Sequence, residues 1–253
     1  MSGRRATGER VFTSEGGFNP TWQRHVAAYS LSAPHLPEGR IADLGCGVGH
    51  SYDLLAPRET VGIDVDPAAL AGQERETIVA DIRRLPLPDE SFDGAIAVHS
   101  IEHVPDPERA VAEAARIVRL GGAAVFVTPN RLTFARADEV IDPYHYVELD
   151  PEGVAALCRQ AFGSVELRGI FGSQRYRELV AREHRRLDRM LGMDPLRLRR
   201  LVPRRARQGL YDLLLARARS DPDPSAAAIG LEDFTLAGDR LEESLDLVAV
   251  CRR

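Results

Sequence analysis

The chain reads as an α/β protein built on a doubly wound sheet of seven mostly parallel strands, with an α-helical insertion between strands six and seven. Three observations predict this. Between residues 40 and 128, short apolar runs alternate with helical segments, the pattern of parallel β-α-β units. The first run, Ile41-Ala42-Asp43-Leu44, breaks into the glycine-rich turn Gly45-Cys46-Gly47-Val48-Gly49, with helix signals behind it. The next two runs, Thr60-Val61-Gly62-Ile63-Asp64 and Ile78-Val79-Ala80-Asp81-Ile82, carry carboxylates at or near their carboxyl ends. Open parallel sheets bind their ligands at that end.

The elements follow in order. Residues 1–38 form a polar, glycine-rich arm and a helix that starts at Asn19-Pro20-Thr21-Trp22 and runs to about Ser32, where Pro34 and Pro37 stop it. Residues 39–172 hold the sheet core. After the second strand, Asp66 can cap a helix and Pro67 can take its first position. Leu85 to Asp93 leads into the fourth strand. In a helix over 107–119, Ala110, Val111, Ala114, Ile117 and Val118 share one face. The fifth strand is Ala123 to Val127; a helix from Glu152 to Phe162 precedes the sixth, Val165 to Phe171. Residues 173–224 are the insertion, and 225–253 return to the core with a last strand from Leu245 to Val250.

Composition bounds the function. A chain of 253 residues with 44% apolar and 28% charged residues can hold one substantial core with additions. No run is long enough to span a membrane, and the N-terminus lacks a signal peptide's order. The three cysteines, 46, 158 and 251, make no disulfide framework and imply a reducing, cytoplasmic compartment. A net charge of −5 argues against a general nucleic-acid binder. Every basic side chain other than histidine is arginine.

The glycine loop lacks the G-x-G-x-x-G spacing of pyrophosphate binders, and no Lys-Ser/Thr follows it as in a P-loop. Such a pocket suits a nucleoside without phosphates. Asp64 is placed for ribose hydroxyls. Asp81 can accept from an exocyclic amine, and Ile82 can pack an aromatic base.

With these residues the chain resembles the class I S-adenosylmethionine-dependent methyltransferases, which have a Rossmann-like sheet. Asp43-Leu44-Gly45-Cys46-Gly47-Val48-Gly49 is similar to their cofactor loop, Gly62-Ile63-Asp64 to the ribose element and Ala80-Asp81-Ile82 to the adenine element. Leu85 to Asp93, Ile101-Glu102-His103-Val104 and Arg116 to Gly122 resemble later motifs; Leu120 stands where most members have proline. The resemblance covers about 38–172 and returns at about 231–252. It implies S-adenosylmethionine as cofactor, held by Asp43, Gly45, Cys46, Gly47, Gly49, Asp64, Val65, Asp81, Ile82 and His99.

The chemistry is expected after strand four, at His99-Ser100-Ile101-Glu102-His103. If this is one helical turn, residues 99, 102 and 103 face the same way. A later loop carries Asp142-Pro143-Tyr144-His145-Tyr146. Ubiquinone-pathway O-methyltransferases and small-RNA terminal 2′-O-methyltransferases have a metal-binding Glu-x-x-Glu-His here. The resemblance implies a metal held by His99, Glu102, His103 and His145, and histidine in place of the first glutamate favours a transition metal over magnesium. The alternative is a structural Glu102-His103 pair with His99 lining the cofactor pocket. Without a metal, His103 is the first candidate catalytic base and His145 the second.

The insertion carries Arg185-Arg186, Arg199-Arg200, Arg204-Arg205 and Arg207 among spaced leucines. It suits a solvated helical pair or dimer surface, a substrate lid, or a nucleic-acid patch. The expected reaction is O-methylation of a sugar or other small hydroxylated metabolite. The alternatives are methylation of an RNA terminus and a non-catalytic cofactor-binding partner. The expected partner is a small-molecule acceptor, with no nucleic acid and no membrane, for a monomer or homodimer.

Overall fold

The computed structural model describes residues 19–134, 144–191, 208 and 224–253. Eight strands form one sheet: β1 (Arg40–Leu44), β2 (Glu59–Asp64), β3 (Thr77–Val79), β4 (Phe92–Val98), β5 (Val118–Pro129), β6 (Ser164–Gly172), β7 (Phe234–Ala237) and β8 (Asp246–Arg252). Their order is β3-β2-β1-β4-β5-β8-β6-β7. β3, β2, β1, β4 and β5 are parallel, whereas β8 runs antiparallel to both β5 and β6. The winding reverses between β1 and β4. Ligands of open α/β sheets bind outside the strand ends at such a switch point.

The seven expected strands are present, and the short edge strand β7 adds an eighth within the return segment. β3 stops at Val79, earlier than the expected Ile82. Asp81 Oδ1 accepts from the Arg83 backbone N–H at 2.9 Å, and this local turn pulls the chain off the sheet. The helix expected behind the glycine loop is only a 3₁₀ turn, Asp53–Leu55. Gly47 and Gly49 hold φ of +55° and +82°, and Pro57 follows too soon for a longer helix.

The helices form where capping residues and apolar spacing direct them. α1 spans Asn19–Ser32. In α2 (Pro67–Leu70), Asp66 accepts from the Ala68 N–H, as its position before Pro67 predicts. α3 (Pro107–Ile117) buries Ala110, Val111, Ala114 and Ile117 in the main core, and Val118 begins β5. A four-residue helix α4 (Arg131–Phe134) follows β5. Asp150 caps α5 (Pro151–Arg159) through the Gly153 N–H, and Val154, Leu157 and Cys158 join the same core. The Leu85–Asp93 segment is tied to α3: Arg116 donates to the carbonyls of Leu85 and Leu87, and Glu113 accepts from the Leu85 N–H. Leu120 is 70% exposed, beside Gly121 at φ +80°, in an irregular stretch where the β4–β5 register shifts. Solvent on that side removes any packing demand for proline.

The chain divides into two compact units. The larger contains the described residues of 25–134, 145–171 and 235–253. In the smaller, Asp233 is the hub before β7. It accepts from Ser173 Oγ at 2.6 Å, from the Gly230 N–H at 3.0 Å and from Arg175 of α6 (Gln174–Leu191). The Tyr176 and Phe234 rings meet edge-on at 4.7 Å. A short α7 (Pro224–Ala227) lies between them in the chain. The expected N-terminal arm, the arginine pairs at 199–200 and 204–205, Arg207 and Asp142 lie outside the described residues. Among the described residues no helix is long and apolar enough to cross a membrane.

Candidate active site

The glycine loop folds over the end of β2. The N–H groups of Gly45 and Cys46 both donate to the Ile63 carbonyl, at 2.7 and 3.0 Å. Asp64 then orders two loops at once: Oδ2 accepts from the Gly47 N–H and Oδ1 from the Asp66 N–H, each at 2.9 Å. In open α/β folds a carboxylate at the end of this strand takes ribose hydroxyls. Gly45, at φ +73°, has no room for a side chain, since a Cβ would sit 2.5 Å from Ser100 Cβ. Gly47 differs. A Cβ there would meet nothing within 4 Å, so its bare backbone faces open space that a ligand can fill. This cradle fits the methionine and ribose parts of S-adenosylmethionine.

Asp43 does not line that space. Its side chain is 0% exposed. Tyr29 Oη donates to Oδ1 at 2.9 Å, while Ser51 Oγ and Arg75 donate to Oδ2 at 2.5 and 2.8 Å. Arg75 also donates to Ser51 Oγ, Thr60 Oγ1 and Gln73 Oε1. It fits because residue 62 is glycine; a Cβ there would lie 2.8 Å from Arg75 Nε. The Asp43 expectation is therefore corrected: the carboxylate supports the loop from inside and faces the protein. Gln73 completes the support by donating to the Gly47 carbonyl at 2.9 Å. Burial, then the Asp43 charge, pushes the Cys46 thiol up to about 12, so it stays protonated and unreactive.

The remaining cofactor positions are mixed. Val65 is 67% exposed just beyond Asp64. Arg83 clasps the Asp81 carboxylate, and that hydrogen bond holds it below the usual carboxylate range. Ile82 belongs to the main hydrophobic core, so its side chain serves packing first.

The histidines divide differently from the expectation. His99 has φ +48° and Ser100 φ −132°, and the 3₁₀ turn begins only at Ile101. Residues 99–103 are thus not one helical turn, and the i, i+4 relation between His99 and His103 fails. Each His99 ring nitrogen already faces another side chain: Nε2 lies 2.9 Å from Asp246 Oδ1, and Nδ1 lies 3.2 Å from His25 Nε2. His99 is corrected out of the expected ligand set.

The other three members do converge. Glu102, His103 and His145 each offer one ligand atom, all within 4.8 Å of one another. The loop carrying His145 is drawn in by the Tyr146 N–H, which donates to the Glu102 carbonyl at 2.8 Å. The His103 and His145 rings are 5.0 Å apart, centre to centre. Glu102 is 1% exposed; Oε2 accepts from Thr128 Oγ1 at 3.1 Å, and Oε1 has no hydrogen-bond partner among the described residues. His145 Nδ1 pairs with Glu148 Oε1 at 3.1 Å. Glu148 Oε2 is likewise buried without a partner. An unsatisfied buried carboxylate oxygen is costly, so Glu102 Oε1 beside two imidazoles points to a missing cation or donor. Sequence reading missed Glu148, whose signal was its i, i+3 spacing from His145.

A doubly wound sheet, a glycine loop open at Gly47 and Asp64 beneath it form the frame of a nucleoside-binding protein. Residues 42–126 match the family described as a methyltransferase domain. The chain belongs to the S-adenosylmethionine-dependent methyltransferases and is an enzyme of that class. It is similar to a Mycolicibacterium smegmatis protein named "Probable S-adenosylmethionine-dependent methyltransferase", with 32% identity over 98% of this chain and 94% of that one. A Mycobacterium tuberculosis protein of the same description is 35% identical over 70% of this chain and 68% of its own. A ubiquinone biosynthesis O-methyltransferase of Alkalilimnicola ehrlichii is 36% identical over 45% of this chain and 51% of its own. Among solved structures, a Thermotoga maritima S-adenosylmethionine-dependent methyltransferase, described as a possible histamine N-methyltransferase, superposes with a TM-score of 0.58 at 18% identity, covering 91% of each chain.

Proposed function

We propose that this enzyme methylates a hydroxyl of a sugar or another small hydroxylated metabolite in the cytoplasm, with a divalent transition metal held by Glu102, His103 and His145. The observation that carries the metal is the convergence of these three side chains around the unpartnered Glu102 oxygen. Two imidazoles and a carboxylate suit manganese, iron, cobalt or zinc. Glu148 behind His145 matches the carboxylate–histidine pairing that orients metal-binding imidazoles. A metal here supplies Lewis acidity that lowers the pKa of a bound hydroxyl. S-adenosylmethionine supplies the electrophilic methyl, so the protein's task is placement and proton removal. Gly47 and Asp64 orient the cofactor, while Glu102, His103 and His145 hold the acceptor side.

A second reading has a specific observation behind it. His103 is the half-exposed member of the trio, whereas Glu102 and His145 are buried. Without metal, His103 is the base that an acceptor hydroxyl reaches first.

Calorimetric titration of purified protein with Mn²⁺, Co²⁺ and Zn²⁺ tests the metal. Uptake is expected at one site, reduced in Glu102→Ala and His145→Ala, and weaker at acidic pH because imidazole must be neutral to ligate. Chelation is expected to suppress transfer of a labelled methyl to small hydroxylated metabolites without displacing the cofactor. Absence of uptake overturns the metal reading and leaves His103 as base, whose replacement then slows turnover by roughly a hundredfold or more.

A further inference from the structure

Gln73 lies in the link between α2 and β3, outside the glycine loop it supports. Gly72, at φ +80°, turns the chain after α2, and the Gln73 N–H closes on the Leu70 carbonyl at 3.3 Å. The side chain then reaches back to the loop. Nε2 donates to the Gly47 carbonyl at 2.9 Å and to the Ala69 carbonyl at 3.2 Å, while Oε1 accepts from Arg75 Nε at 3.0 Å. Carbonyls only accept and a guanidinium only donates, so these three partners admit one orientation of the amide. Arg75 is fixed in turn by its pairing with the buried Asp43.

Gly47 is the residue that needs such a hold. It has φ +55°, and no protein atom lies within 4 Å of where its Cβ would stand. Glycine also has the most backbone freedom to lose. Both peptide groups beside its Cα are tied to distant side chains: its N–H donates to Asp64 Oδ2 at 2.9 Å, and its carbonyl accepts from Gln73. The Cys46 thiol, a weak donor, approaches the same carbonyl only to 3.7 Å. Gly49 shows how the amide is seated. A Cβ at 49 would overlap Gln73 Oε1 and Cδ, so the amide packs directly against bare backbone. A side chain at 49 displaces Gln73 and breaks its bond to Gly47.

We propose that Gln73 is a cofactor-positioning residue, which sets the Gly47 backbone for S-adenosylmethionine, and that the third glycine of the loop serves to seat it. Gln73 acts through Gly47, so it needs no contact with the cofactor. Ordering one residue's backbone carries an entropy cost. With the amide in place that cost is met on folding; without it, cofactor binding must meet it, and affinity falls. The proposal rests on the reading of this loop as the seat of S-adenosylmethionine, and it is independent of the acceptor and of the metal.

Its test titrates full-length wild type, Gln73→Glu and Asp64→Ala with S-adenosylmethionine by calorimetry and melts each protein without cofactor. Glutamate keeps the acceptor for Arg75 and loses the donor to Gly47. Gln73→Glu should weaken the cofactor about 5- to 30-fold and leave the melting temperature within about 3 °C of wild type. Hydrogen exchange at the Gly47 and Gly49 amides should quicken in cofactor-free Gln73→Glu and return to the wild-type rate at saturating cofactor. Gly49→Ala is then compared with Gln73 present and in Gln73→Ala. The strain at φ +82° is common to both and cancels, so Gly49→Ala should weaken the cofactor several-fold more when Gln73 is present. Equal weakening in both overturns the seating role. Unchanged affinity in Gln73→Glu beside weakened affinity in Asp64→Ala overturns the positioning role and leaves the loop reading standing; unchanged affinity in both overturns the loop reading with it. A melting loss in Gln73→Glu as large as that of Arg75→Met makes Gln73 a support of the fold and also overturns the proposal.

Discussion

Replacing Arg75 with methionine probes the buried support of the cofactor loop. The Arg75 and Asp43 side chains are 2% and 0% exposed, and their charges meet at 2.8 Å. The substitution keeps much of the side-chain volume but takes the cation from the buried Asp43 carboxylate, with Tyr29 and Ser51 as its remaining donors among the described residues. Removing one partner of a buried pair costs about 3–5 kcal/mol. At roughly 2–4 °C per kcal/mol for a domain of this size, the melting temperature falls by about 6–20 °C. Urea denaturation measures the loss directly, and cofactor titration reads the loop, which Gln73 links to the same network. Asp43→Asn alone should also destabilise, since it strands the guanidinium. The double variant removes both charges, so its loss should be at least about 1 kcal/mol smaller than the sum of the singles. A single-variant loss below about 1 kcal/mol, or strict additivity, would refute the assignment of this pair as the support.

Other expectations follow from the same geometry. Asp64→Ala removes a charged acceptor, worth about 1.5–3 kcal/mol, and should weaken S-adenosylmethionine binding by roughly 10- to 150-fold in calorimetry; unchanged affinity contradicts the ribose assignment. Gly45→Ala drives a Cβ to 2.5 Å from Ser100 and should unfold the chain more readily. Gly47→Ala meets no protein atom and should lose only about 1–2 kcal/mol from its φ while weakening the cofactor, so equal stability losses in the two variants count against the cradle. The Arg175 hydrogen bond holds Asp233 down to about 2. A lowered folded-state pKa gives stability that is full above the unfolded value near 4 and is lost as pH falls toward about 2. Thermal melts of Asp233→Asn should lack that acid-side decline, and an unchanged decline would place it elsewhere.

The sequence by itself determined the backbone plan. Alternating apolar runs specify parallel strands, the Asp66-Pro67 pair starts a helix where the structure has it, and the Gly45–Gly49 spacing produces the loop. These features were legible because they depend on residues a few positions apart. Glu102 and His103, adjacent in one turn, were legible for the same reason. The tertiary structure decided which side chains meet. Asp43 and Arg75 are separated by 32 residues, His99 and His25 by 74, and His99 and Asp246 by 147. A positive φ at His99 turned it away from a neighbour four residues on and toward a strand at the far end of the chain. No local pattern encodes such a pairing, because it exists only once β8 has inserted between β5 and β6 and brought Asp246 to the carboxyl edge of the sheet.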